Sequence, residues 1–178
     1  EYLISIQKFS AMALLSAIIV PLTLLLIRNN ITAGYSLPEA GLWEATTKLS
    51  SFYMHFFNAG LSLYYMPKLA SLQTESEFKQ ELMGYFSTFV PLFLIMLLVL
   101  FFVKEWVLEL IFTTEFLKIK SVLIWQFIGD FFKIITLAFG YQILVKARLK
   151  VYFFLEITFN LSYLLLSLYW IKTQGYEG

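Results

Sequence analysis

The sequence predicts an all-α integral membrane protein whose chain crosses the bilayer five times, and three observations carry that expectation. Of 178 residues, 60% are hydrophobic and only 14% are charged, whereas a soluble domain keeps about a quarter of its residues charged. The mean hydropathy is +0.75, more apolar surface than a chain of this length can hide from water. Two stretches, 9–27 and 84–103, contain no charged side chain at all. At 1.5 Å per residue each covers about 28–30 Å, the thickness of the hydrocarbon layer.

In chain order the predicted spans are 9–27, 39–67, 84–103, 121–145 and 151–171. Lipid offers backbone groups no partners, so apolar stretches of this length are expected to be helical. Pro38 and Glu39 suit the first turn of the second span, where a missing N–H costs nothing and an acid meets the positive helix end. Between the second and third spans, Thr74 and Glu77 form a T-x-x-E capping box, predicting a short helix through Leu82. After the third span, "KEWVLELIF" puts Glu105 and Glu109 on one face and Trp106 and Leu110 on another, as an interfacial helix would. Trp43, Trp106, Trp125 and Trp170 fall near span ends, where an aromatic belt is expected.

Polar side chains are few, and they are patterned. In the second span Glu44, Thr47, Ser51, His55, Asn58 and Ser62 advance by three or four residues, so they share one helix face. Lys48 lies beside that face, four residues after Glu44, within pairing reach. The fifth span repeats the pattern with Glu156, Asn160, Tyr163 and Ser167, and the fourth contributes Gln126, Asp130 and Lys133. The first and third spans are nearly featureless, apart from Ser10, Ser16, Thr23, Ser87 and Thr88, and are expected to face lipid. An ionisable group at mid-membrane is costly, which favours a wet, functional interior for Asp130 and Lys133. Spaced three apart, the two could also neutralise each other as a packing pair. Lys48 and Glu156 sit nearer span ends, where snorkelling to the headgroups is the competing account. His55, the sole histidine, reads either as a hydrogen-bonded packing residue or as a proton relay.

Several chemistries are excluded within this sequence. It lacks cysteine, a Gly-rich phosphate loop, H-E-x-x-H or D-x-D patterns, and a plausibly spaced Ser/His/Asp set. No catalytic residue, metal site, cofactor or nucleic-acid partner is expected. The tight, acid-free "KARLK" turn places the N-terminal end, the 68–83 connector and this turn in the cytoplasm. The first residue is Glu1, and "TQGYEG" ends just beyond a span; the sequence reads as a piece of a larger membrane protein.

Two stretches, "AGLWEATTKLSSFYMHFFNAGLSLYYMPKLASL" and "LIWQFIGDFFKIITLAFGYQILVKARLKVYFFLEI", closely resemble the Wzx-type O-antigen and lipid III flippases. These belong to the multidrug/oligosaccharidyl-lipid/polysaccharide (MOP) exporter superfamily. The likeness covers nearly the whole sequence and is best over 40–72 and 121–157. It implies two six-helix lobes around a central cavity, with this chain as helices seven to eleven of twelve, most of the C-terminal lobe. The N-terminal lobe and the last helix would lie outside it. The implied activity is movement of a polyprenyl-diphosphate-linked oligosaccharide across the bacterial inner membrane by alternating access, without enzymatic chemistry. By that resemblance Lys48, His55, Asn58, Asp130, Lys133 and Asn160 are candidates for the substrate cavity. Asp130 and Glu156 are candidates for ion coupling, and Lys68 and Arg148 for the cytoplasmic mouth. Implied partners are the lipid-linked glycan, membrane lipids and other polysaccharide-assembly proteins. The alternatives are another MOP transporter, such as an ion-coupled antiporter or a lipid II-type flippase, and a membrane enzyme acting on polyprenyl phosphates.

Overall fold

Backbone groups in hydrocarbon must find partners within their own segment, and this chain meets that demand with helix almost throughout. The computed structural model describes residues 2–177. Among them are α1 (Tyr2–Gly34), α2 (Leu37–Gly60), a π-helical turn (Leu61–Tyr65), α3 (Met66–Ser71), α4 (Glu75–Ile111), α5 (Lys120–Val145) and α6 (Leu149–Gln174). Short 3₁₀ turns occupy Thr114–Ile119 and Gly175–Glu177, and no strand occurs among the described residues. Helices α1, α4 and α6, and α5 with the 3₁₀ turn before it, are each long and apolar enough to cross a membrane. Helix α2 is not among these four; Glu39, Glu44, Lys48 and His55 lower its apolar content.

Two expectations about the connectors are corrected. The Thr74 capping box is present, with Thr74 Oγ1 accepting from Glu77 N–H and the Glu77 carboxylate accepting from Thr74 N–H. It opens the 37-residue helix α4 rather than a separate short helix. "KEWVLELIF" likewise continues α4 to Ile111 instead of forming its own interfacial helix. Nothing between Leu82 and Ile111 interrupts the hydrogen-bond ladder except Pro91, which the helix absorbs. Pro38 and Glu39 do lie in the first turn of α2.

The chain divides into two compact units, Glu1–Glu44 with Ile143–Gly178, and Ala45–Gln142. In the first, α1 packs on α6, and Ile27, Ile31, Ala40 and Ile171 form its buried core with Trp43 and Leu164 against it. The Tyr35 hydroxyl donates to the Ile171 carbonyl at 2.5 Å, tying the end of α1 to the end of α6. Helix α5 ends in a Schellman arrangement, with Arg148 N–H bonding Ile143 O and Ala147 N–H bonding Leu144 O. Ala147 takes the left-handed position that such a cap requires, at φ 47°. The second unit buries Tyr65, Tyr85, Phe93, Leu123, Phe127 and Ile134. There the Tyr85 hydroxyl donates to the Ile134 carbonyl at 2.7 Å, linking α4 to α5. Lipid tails are as apolar as leucine, so such interhelical hydrogen bonds and close packing supply much of the association between these helices.

Candidate functional site

Asp130 sits mid-way along α5 and is 2% exposed. Buried Phe127 and Ile134 lie about one turn to either side of it on the same face. A carboxylate withdrawn from water needs hydrogen-bond partners, and one oxygen takes three. Asp130 Oδ2 accepts from Ser50 Oγ at 2.6 Å, from Gln126 Nε2 at 3.2 Å and from the Tyr53 hydroxyl. Ser50 and Tyr53 come from α2, and Gln126 lies one turn earlier in α5. The Tyr53 ring packs on Phe93 and Phe127, with centroids 6.3 and 6.2 Å away, so its hydroxyl is well directed. All three donors are uncharged. Lys133 is exposed, and among the described residues no ion pair joins it to Asp130. The acid is therefore satisfied by neutral groups, not by its neighbouring base.

The first unit holds a second carboxylate in a similar way. Glu156 Oε1 accepts from Ser16 Oγ at 2.8 Å, and Ser16 Oγ lies 2.5 Å from the Tyr152 hydroxyl. Asn160, 6% exposed, donates from Nδ2 to the Glu156 carbonyl one turn back. This corrects the expectation that the first span carries only lipid-facing hydroxyls: Ser16 engages Glu156, and Thr23 is buried.

The remaining predicted residues are more scattered. Lys48 and His55 are exposed, and His55 Nδ1 lies 2.6 Å from the Ser51 carbonyl of its own helix. Asn58 is half-buried, and its Oδ1 has no hydrogen-bond partner among the described residues. Lys68 pairs with Glu81 at 2.6 Å and reaches the Tyr64 hydroxyl at 3.4 Å. Arg148 is exposed at the start of α6. Glu44 pairs with Arg28 Nε at 3.3 Å. Among the described residues no group of three or more His, Asp or Glu is arranged to hold a metal ion.

Two curated proteins match this chain, the lipid III flippases of Escherichia coli (strain K12) and Shigella flexneri. Each is 25% identical over 166 residues, covering 93% of this chain and 40% of the relative. The chain is similar to the lipid III flippases. It spans 40% of the length of these relatives. No family model matches the sequence, and no solved structure matches it. The likeness to these flippases and the four apolar helices together mark a membrane protein.

Along this flippase-like chain, the groups that hold the acids were missed by sequence reasoning. Ser50 and Tyr53 belong to a second row, Thr46–Ser50–Tyr53, running beside the polar stripe of α2. Thr46 and Ser50 are the members of α2 that the fold buries among its polar side chains. The row's i, i+4, i+7 spacing was the available signal. Tyr152, four residues before Glu156, was the equivalent signal in α6.

Proposed function

We propose that this chain forms most of one lobe of a two-lobed, twelve-helix MOP-type flippase, with five of its helices crossing the membrane. The flippase moves a polyprenyl-diphosphate-linked oligosaccharide across the bacterial inner membrane by alternating access, as a transporter and not an enzyme. The likeness to the lipid III flippases over 93% of the chain carries this reading. The geometry supports it through Asp130. A transporter that spends an ion gradient needs a group whose charge changes with occupancy, placed where an unpaired charge is costly. Asp130 is the carboxylate placed in that way, 2% exposed and held by uncharged donors with no ion pair among the described residues. Glu156, half-buried and accepting from Ser16, is the second candidate carboxylate.

In this reading Lys133, Lys48, His55 and Asn58 of the second unit are the groups that meet the travelling headgroup and glycan, and Asn160 of the first unit is a separate candidate for the glycan. Lys68 and Arg148 attract the diphosphate at the cytoplasmic end as charged donors. The lobes then rock to expose the cavity on the other side, as repeat-built transporters do. Other polysaccharide-assembly proteins would deliver and receive the cargo. The Asp130 shell would serve an ion-coupled antiporter of the same superfamily equally well, so the cargo must be measured directly.

The experiment neutralises Asp130 (D130N), Lys133 (K133Q) and both, then measures export of the lipid-linked glycan in cells at matched protein level. Loss of export in D130N, by tenfold or more, is the expected result. Wild-type export in all three variants would remove Asp130 and Lys133 from the mechanism. Absence of glycan export from the unaltered protein, with movement of another solute, would replace the flippase with an antiporter.

A further inference from the structure

One stretch of the second unit departs from α-helical register. Between α2 and α3, Leu61–Tyr65 form a π turn, and the N–H of Met66 bonds the carbonyl of Leu61, five residues back. Pro67 accounts for this. It has no N–H to offer the Leu63 carbonyl and its ring crowds that group, so a widened preceding turn relieves the clash. Gly60 opens the turn, in a place where an added Cβ would meet nothing within 4 Å.

Inside the turn, packing and polarity disagree. Tyr65 is fully buried, with its ring 4.9 Å from that of Tyr85 and 6.2 Å from that of Tyr141. Its hydroxyl nevertheless has no hydrogen-bond partner among the described residues, and neither does Asn58 Oδ1, seven residues earlier. Buried polar atoms are nearly always paired, and an exception calls for a cause. Beyond the turn, α3 is fastened through Lys68, its third residue. Lys68 Nζ lies 2.6 Å from Glu81 Oε2, on the second turn of α4, and 5.4 Å from the Tyr64 ring centroid.

We propose that the π turn Leu61–Tyr65, with Pro67, is a hinge, and that the Lys68–Glu81 ion pair is its latch. Its use in moving cargo rests on the transporter reading; its existence does not. Converting the π turn to α removes one residue of overhang, which turns α3 by about 100° and shifts it about 1.5 Å. That motion carries Lys68 away from Glu81. It also re-aims Tyr65, whose hydroxyl has no partner among the described residues in this geometry. A diphosphate is a rival to Glu81 for the Lys68 ammonium, so a diphosphate-bearing cargo at this end favours release.

This chain has no cysteine, so once any cysteine in the rest of the protein is replaced, the introduced thiols are the reactive ones. In the full-length protein, Lys68→Cys with Glu81→Cys is bridged by a flexible bifunctional thiol reagent, and flux of the polyprenyl-diphosphate glycan is compared with the same variant unbridged. Bridging is expected to cut flux at least tenfold, with recovery on reduction; equal flux in both forms overturns the gating role. Hydrogen–deuterium exchange over residues 61–71 reads the hinge without any cargo. Exchange is expected to quicken at least threefold in Glu81→Gln and to slow in Tyr65→Phe, which sheds the orphan hydroxyl of the latched state. Identical exchange in wild type and both variants overturns the hinge. If exchange responds while the unaltered protein moves no glycan, the hinge stands and the flippase reading falls.

Discussion

A buried carboxylate held by neutral donors is stable only while those donors stay in place. Ser50→Ala removes one donor from Asp130 and should cost about 1–2 kcal/mol, read as a lower thermal midpoint of the detergent-solubilised protein. Tyr53→Phe should cost a similar amount, with the ring packing on Phe93 and Phe127 retained. If neither variant moves the midpoint, the hydrogen bonds to Asp130 do not hold α2 against α5. Lys68 poses the complementary case at an exposed position. Its hydrogen bond to Glu81, and then that to Tyr64, hold the Lys68 ammonium above its ordinary range. A raised pKa in the folded protein means the latch is fully present below the ordinary lysine value of roughly 10.4 and is lost as pH rises through the folded one. A spin label at Ala70→Cys should therefore keep constant mobility from about pH 6 to 9 and loosen only in stronger alkali; loosening near neutrality would contradict the latch. Asp130 itself was legible in the sequence because an acid amid "WQFIGDFF" stands out in any solvent model. Ser50 and Tyr53 were not, since serine and tyrosine are equally at home packed, wet or facing lipid. Their direction depends on the rotation of α2, which one sequence leaves free by a single residue.

Helix boundaries follow a different logic. Helix α4 is 37 residues long and so extends about 55 Å, well beyond the hydrocarbon thickness of about 30 Å. Its charged ends, with Lys79 and Glu81 at one side and Lys104 and Glu105 at the other, read in the sequence as separate connectors. Charge marks where a helix leaves the hydrocarbon and not where it stops; stopping requires a cap or a break, as at Thr74 and Phe112. The capping box was legible because its chemistry is local. The π turn was not, because Pro67 looks the same in sequence whether a helix kinks, ends or widens around it. The "KARLK" turn offers a test at this scale. Ala147 stands at φ 47° in the C′ position of α5, where glycine avoids a steric cost of about 1–2 kcal/mol. Glycine also loses more entropy on folding, by about 0.5–1 kcal/mol. Ala147→Gly should thus stabilise the protein by a net of about 0.5 kcal/mol, seen as a small rise in thermal midpoint; a fall would mean the left-handed cap is not held in solution.

At the scale of the molecule, the membrane decides what α2 is. Four crossings follow from apolar length alone, and the proposed lobe needs a fifth. Composition argues against α2, because it carries Glu39, Glu44, Lys48 and His55. Its buried side is nevertheless made for a helical neighbour, with Ala45, Thr46, Leu49, Ser50 and Met54 all buried. Polar groups on a spanning helix are tolerated where they face protein or a wet interior rather than lipid, and exposed Lys48 and His55 are the groups that a cavity-lining face would present. The two possibilities differ in sidedness. If α2 crosses, the Ser36 turn and Gln73 lie on opposite faces of the membrane; if it does not, they share one. Single cysteines at Ser36 and Gln73, where this chain has no cysteine of its own and any elsewhere in the protein is replaced, can be labelled with a membrane-impermeant maleimide in intact cells whose outer membrane has been made permeable. Ser36→Cys should label from outside, and Gln73→Cys only after lysis, as should Arg148→Cys in the acid-free "KARLK" turn. Labelling of Ser36→Cys and Gln73→Cys from the same side would reduce the crossings to four, put α2 at the surface of the bilayer, and take Lys48, His55 and Asn58 out of any transport path.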